Sequence, residues 1–290
     1  MKISYAQAMC DPSFYLPIAF AAEEAGYDGM VVPDSLGYPG PSDTKYPYSA
    51  DGDNAFIEDK PFIEPFVLIS AMGAVTQRLR FTTLVMKLPV RLPVVVAKQA
   101  TSLAVMTNNR FSFGVGLSPW PEDFAVTGQP WKGRGKRMDE MIEILRGLQK
   151  GDYFEFSGDY YEIPRFKICP VPSEPIPILI GGHSEAALRR AARIGDGWMH
   201  AGGPPDELPR YMARLAELRR DAGRDHLPFE VHAISPDAFT VDGIRRLEDQ
   251  GVTNVVVGFR DTQPNGPDTQ TLEKKLGDLR DFADKVLAKL

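Results

Sequence analysis

Two cysteines, Cys10 and Cys169, are all that this 290-residue chain contains. They lie far apart in the sequence and form neither a disulfide framework nor a zinc spacing, so both are expected to be reduced thiols. The four histidines, His183, His200, His226 and His232, are scattered without a helical pair, which argues against a metal site. There is no basic excess. The chain has 33 Lys and Arg against 39 Asp and Glu, a net charge of −6, and this argues against nucleic acid or an anionic membrane as the main partner. No apolar run approaches the roughly 20 residues that a membrane helix needs. The opening MKISYAQAMCDPS lacks a charged-then-apolar leader. A cytoplasmic protein is the expectation. Gly114-Val115-Gly116 lacks the third glycine of the dinucleotide fingerprint, so a Rossmann reading fails. No stretch rich in Pro, Gly or Ser divides the chain, and one domain over 1–290 is predicted.

What the chain does have is alternation. Strands are predicted at 2–8, 27–33, 79–86, 110–116, 175–180, 195–201, 228–234 and 252–259. An amphipathic or apolar helix follows each one. At 133–150, for example, Met138, Met141, Ile142, Leu145 and Leu148 fall on one face. Pro93 at its start and its length make 93–106 a helix despite its β-branched residues. Parallel neighbours need a crossover helix, and eight such pairs suit an α/β fold of the (β/α)8 TIM-barrel type, for which about 250 residues is typical. A doubly wound open sheet is the alternative. Two insertions interrupt the pattern. One, at 35–64, carries Tyr38, Tyr46, Tyr48, Phe56 and Phe62, too many aromatics for an idle solvated loop. As it follows the second strand it reads as a lid over the C-terminal face, where active sites of this fold lie. The other, at 151–173, contains a hairpin expected to turn at Ser157-Gly158.

Three clusters fall at strand ends. In Gly181-Gly182-His183-Ser184 the glycines permit unusual φ angles and Ser184 is placed to cap the next helix. A helix start offers unpaired N–H groups and partial positive charge, so this turn could hold a phosphate or simply be a capped turn. Ser118, Trp120 and Glu122 follow the fourth strand, and Asp34 and Ser35 end the second. A carboxylate at Asp34 could accept a hydrogen bond from a ligand or cap its own loop.

The stretches LRFTTLVMKLPVRLPVVVAKQATSL (79–103), GVGLSPWPEDFAVTGQPWKGRGKRMDEMIEILRGL (114–148) and PIPILIGGHSEAALRRAARIGDGWM (175–199) resemble the luciferase-like monooxygenase superfamily, which are flavin- or deazaflavin-dependent (β/α)8 barrels. The segment YPYSADG (46–52) and the proline-rich approach to strand five resemble the members usually assigned to coenzyme F420. The resemblance implies that a non-prolyl cis peptide at Leu84-Val85 supports the central ring of the cofactor. It also implies that Asp34 and Ser35 face the redox ring and that Ser118 and Glu122 lie near its pyrimidine end. Gly181, Gly182, His183 and Ser184 would seat the phosphate. Asp34 is the foremost candidate for a general acid, with His183 and Glu58 behind it. Ser35 stands where several deazaflavin dehydrogenases have histidine, Ser118 where glycine is common, and Pro119-Trp120-Pro121 stiffens its loop. The charged tail of F420 would need cations at the mouth, from Lys45, Lys60, Lys87, Arg91 or Arg260.

The expected activity is hydride transfer between coenzyme F420 and a small organic substrate, in a possible homodimer. The alternative cofactor is FMN, used by a monooxygenase with O2 and a partner reductase. A non-catalytic flavin- or deazaflavin-binding protein is an alternative of another class. A cofactor-free enzyme acting on a phosphorylated substrate fits less well, because barrels commonly bind phosphate after strands seven and eight.

Overall fold

The computed structural model describes residues 1–40, 44, 46, 52, 55–259 and 268–290. Its strands close into a parallel barrel. They are β1 (Lys2–Ala6), β2 (Gly29–Val32), β3 (Arg80–Thr83, resuming at Met86–Lys87), β4 (Phe111–Gly116), β5 (Ile178–Gly181), β6 (Gly197–His200), β7 (Glu230–Ile234) and β8 (Asn254–Val257). Each pairs with the next, and β8 returns to β1 with Lys2 opposite Asn254. Most strand residues are buried, and Ser4, Thr82, Thr83, Ser112, His232 and Asn254 place polar side chains inside among the apolar ones.

The main helices between them are α1 (Tyr15–Glu24), α2 (Pro65–Ala74), α3 (Pro93–Met106), α4 (Arg134–Leu148), α5 (Glu185–Ile194), α6 (Glu207–Asp221), α7 (Val241–Asp249) and α8 (Leu272–Lys285). Their starts follow from local chemistry. Glu64 accepts from Val67 N–H ahead of Pro65, and Ser184, Thr240 and Thr271 cap α5, α7 and α8. On α4 the predicted stripe from Met138 to Leu148 is buried in the core. Tyr27, just past α1, donates to the Leu279 carbonyl at 3.0 Å and so ties the last helix to the first. The outer side of α2 has no charged residue at all. Val67 is 64% exposed there, and the neighbouring helices also expose apolar residues, Leu16 and Phe20 on α1 and Val95 and Met106 on α3.

Three details differ from the sequence reading. The third strand is not continuous over 79–86. It breaks between Thr83 and Met86, around a cis peptide at Leu84-Val85, the bond that the family resemblance implied. A short helix, Pro121–Val126, occupies the loop after β4. The hairpin runs Phe154–Ser157 and Glu162–Phe166 with its turn at 158–161, because the Glu140 carboxylate of α4 accepts from the N–H groups of Asp159, Tyr160 and Tyr161 and docks the turn. Among the described residues no helix is long and apolar enough to cross a membrane, and no metal-binding cluster occurs.

Candidate functional site at the C-terminal end of the barrel

The break in β3 makes room for a wedge. A Cβ added to Gly116 would lie 2.6 Å from Val85 Cγ2, and one added to Gly181 would lie 2.7 Å from Val85 Cγ1. Glycine at both strand ends is therefore what lets the Val85 side chain pack between the tops of β4 and β5. The Leu84 and Val85 positions are thereby brought beside the Gly181 turn, although they lie almost a hundred residues away in sequence.

The polar groups next to this wedge form a connected set. Asp34, at the end of β2, accepts from Lys87 N–H at 2.8 Å and from Arg91 Nη2 at 2.8 Å. Lys87 Nζ lies 2.7 Å from Asp123 Oδ2, with both side chains under a tenth exposed. It also sits 4.3 Å from the centre of the Trp120 ring. Ser118 donates its hydroxyl to the same Asp123 oxygen and accepts from Trp120 N–H at 3.1 Å. Ser118 is thus turned inward to hold its own loop. Glu122 accepts from Thr44 at 3.4 Å, and Tyr46 stacks on Trp120 at 5.7 Å, so two residues of the 35–64 insertion meet this loop. Trp120 Nε1 and Glu122 Oε2 are buried without a partner among the described residues. Ser35 donates to the Gly37 carbonyl at 3.4 Å, and Glu58 is exposed.

The expected cations divide in the same way. Lys87 and Arg91 are consumed in ion pairs, Lys60 is half-buried, and Lys45 and Arg260 lie outside the described residues. Asp123 was not foreseen as a site residue. Next to Pro121 and Glu122 it reads as an ordinary first-turn acid, and only the fold reveals its lysine 36 positions earlier.

The second half of the site is the Gly181–Ser184 turn. Gly182 has φ +116°, and its carbonyl accepts from Trp198 Nε1 at 2.9 Å. Ser184 Oγ accepts from Ala187 N–H at 3.3 Å, while the N–H groups of Ser184, Glu185 and Ala186 have no acceptor among the described residues. His183 Nε2 accepts from Ala201 N–H at 3.1 Å, so the neutral ring carries its proton on Nδ1. The ring stacks on His200 at 4.7 Å and packs against Tyr211 at 5.0 Å. His200 Nδ1 faces the Ile234 carbonyl at 3.2 Å, and its Nε2 is buried without a partner among the described residues. The involvement of Trp198, His200 and Tyr211 was not foreseen either, since an aromatic at a strand end carries no distinguishing pattern.

Burial pushes the His200 imidazole down to about 4, with His183 adding to the effect. Burial also lowers His183, against the opposing charge of Glu207. The sign of the linkage is fixed by this. Between the ordinary histidine value and pH 4 the unfolded chain binds a proton that the folded chain refuses, so stability falls as pH drops through that window. Denaturant unfolding is expected to show a loss of about 3 kcal/mol from His200 between neutral pH and pH 4, at about 1.4 kcal/mol per pH unit. A His200→Gln variant should flatten this slope, and an unchanged slope would contradict the buried neutral assignment.

The sequence that builds this site matches a known family. Residues 5–242 fit the family model of the luciferase-like monooxygenases. The chain belongs to the luciferase-like monooxygenase family. The Mycobacterium tuberculosis protein Rv0940c is 59% identical over 290 residues, covering 100% of both chains. The F420-dependent glucose-6-phosphate dehydrogenase of Nakamurella multipartita is 30% identical over 246 residues, which is 82% of this chain and 67% of that one. In three dimensions the monooxygenase RslO1 from Streptomyces bottropensis superposes with a TM-score of 0.78 at 17% identity, over 100% of this chain and 99% of that one. That likeness concerns the fold.

Proposed function

We propose that this luciferase-like protein is an oxidoreductase that binds coenzyme F420 and exchanges a hydride with a small organic substrate. The observation that carries the choice of cofactor is the 30% identity to an F420-dependent dehydrogenase across 82% of the chain. The residues present fit such a group. Three N–H groups at the start of α5, with a capping Ser184 and a positive-φ Gly182, supply donors for a phosphate. The orphaned Trp120 Nε1 and Glu122 Oε2 supply one donor and one acceptor for a polar ring edge. When bound, the deazaflavin supplies a hydride acceptor or donor.

The chain's own part is to bind and orient. The α5 N-terminus and His183 hold the anionic end, and Trp198 keeps that turn in place through the Gly182 carbonyl. Leu84 and Val85 form an apolar support, wedged against Gly116 and Gly181. Ser118 acts indirectly, by orienting Asp123 and Trp120. Residues of the 35–64 insertion exclude water from the substrate side, through contacts such as Tyr46 on Trp120.

The second reading is an FMN-dependent monooxygenase fed with reduced flavin by a partner reductase. The family's description favours it. Fluorescence titration of the pure protein against FMN and F420 separates the two. The F420 reading expects a dissociation constant on the order of micromolar or tighter for the deazaflavin and weaker binding of FMN. Micromolar FMN binding with none of F420 would overturn it.

A further inference from the structure

Asp34 is the foremost candidate for a general acid, but its environment describes another task. Its side chain is only 1% exposed. Oδ2 accepts from Lys87 N–H at 2.8 Å, and Oδ1 accepts from Arg91 Nη2 at 2.8 Å. Arg91 Nη1 then donates to the Lys87 carbonyl at 2.9 Å. The three bonds close a ring that holds the Lys87 main chain by its N–H on one side and its C=O on the other. All three involve a charged partner, the stronger kind of hydrogen bond. From this fixed backbone the Lys87 side chain runs inward to Asp123 Oδ2 at 2.7 Å and over the Trp120 ring. A carboxylate that exchanges protons with a substrate needs access and a free oxygen. Asp34 has both oxygens engaged and almost no exposed surface.

We propose that Asp34 and Arg91 are positioning residues, a clamp that fixes the Lys87 main chain and so sets the Lys87 ammonium against Asp123 and Trp120 at the polar end of the site. The link to cofactor binding rests on the flavin or deazaflavin reading given above. The clamp itself does not. On this view Asp34 works as the acceptor for both Lys87 N–H and Arg91, and a neutral side chain at this position keeps only the first of those bonds.

The test uses the full chain with Asp34→Asn, Asp34→Ala, Arg91→Met, Arg91→Lys and the double variant Asp34→Ala/Arg91→Met. Two quantities are read: hydrogen exchange of the peptide containing the Lys87 amide, and the affinity for F420 and FMN from mildly acid to mildly alkaline pH. Asp34→Ala and Arg91→Met are each expected to speed exchange and to weaken cofactor binding by about tenfold, the scale of one charge-assisted hydrogen bond. The double variant is expected to be no worse than either single one, because the residues act as a unit. Asp34→Asn still accepts from Lys87 N–H but turns its amide N–H against Arg91, so it should lose no more than Arg91→Met does, exchange more slowly at Lys87 than Asp34→Ala, and leave the pH dependence of binding unchanged.

The clamp is overturned if the single effects add. It is overturned equally if Asp34→Asn alters the pH profile of binding while Lys87 exchange stays native. Asp34→Asn and Arg91→Lys keep the site's volume, so the comparison survives a failure of the alanine variant to fold. If the native chain binds neither cofactor, the functional reading falls and exchange alone decides: native exchange at Lys87 in the Asp34 and Arg91 variants sinks the clamp.

Discussion

Gly114→Ala is expected to destabilise the barrel severely. A Cβ at this position would sit 1.8 Å from the Thr83 carbonyl oxygen and 2.5 Å from Met199 Sδ. The methionine could swing aside, but the carbonyl is backbone of the adjoining strand. It cannot move without disturbing the contact in which Thr83 Oγ1 donates to the Gly114 carbonyl at 2.6 Å. Ordinary overpacking costs about 1–3 kcal/mol. A clash between two main chains belongs above about 4 kcal/mol, a large share of the roughly 5–15 kcal/mol that stabilises a folded protein. The expected observation is loss of soluble protein, or a marked fall in the denaturant midpoint. A soluble variant with a native midpoint would refute the strand spacing described here.

Gly116→Ala offers a graded control, because the obstructing atom there is Val85 Cγ2 at 2.6 Å, part of a side chain. Adding Val85→Ala removes that atom. The double variant should therefore be more stable than Gly116→Ala alone, by about 1–2 kcal/mol, as coupled neighbours are.

Lys87→Met carries the next largest effect. It deletes the cation beside Asp123, whose side chain is 5% exposed, and leaves a buried carboxylate held mainly by Ser118. Removing one partner of a buried pair costs about 3–5 kcal/mol, whereas neutralising both costs far less. Lys87→Met/Asp123→Asn should therefore recover most of the loss, since asparagine still accepts from Ser118. Chemical denaturation of the single and double variants provides the measurement. A loss below about 1 kcal/mol for Lys87→Met, typical of exposed pairs, would mean that the pair is hydrated and not part of the interior.

The barrel could be read from the chain because its signals are local and repeated. Each strand–turn–helix unit carries its own apolar period and its own cap, as Ser184 shows for α5. The break in β3 has no such local signal, because Leu79 to Met86 is an unbroken run of strand-forming residues, and only the family resemblance pointed to Leu84-Val85. Its interruption depends on glycines in β4 and β5 that receive Val85. The site was legible as positions more than as roles. Asp34, Ser118, Glu122 and the Gly181–Ser184 turn do gather at the C-terminal end of the barrel. Yet whether Ser118 faces a ligand or Asp123 depends on the course of Pro119-Trp120-Pro121. Whether Asp34 is free depends on Arg91, 57 residues away. Pairings of that span leave no periodic trace, because they are made by closing the barrel.

The anchoring of Lys87 has a consequence for the order in which the protein can mature on the ribosome. Its amide waits on Asp34, already synthesised, but its ammonium waits on Asp123, 36 residues further along. A nascent chain that has emerged only as far as α3 contains Asp34 and Arg91 but not yet the partner of the Lys87 charge. The polar end of the pocket is therefore completed only once the fourth strand and the short helix after it have been made.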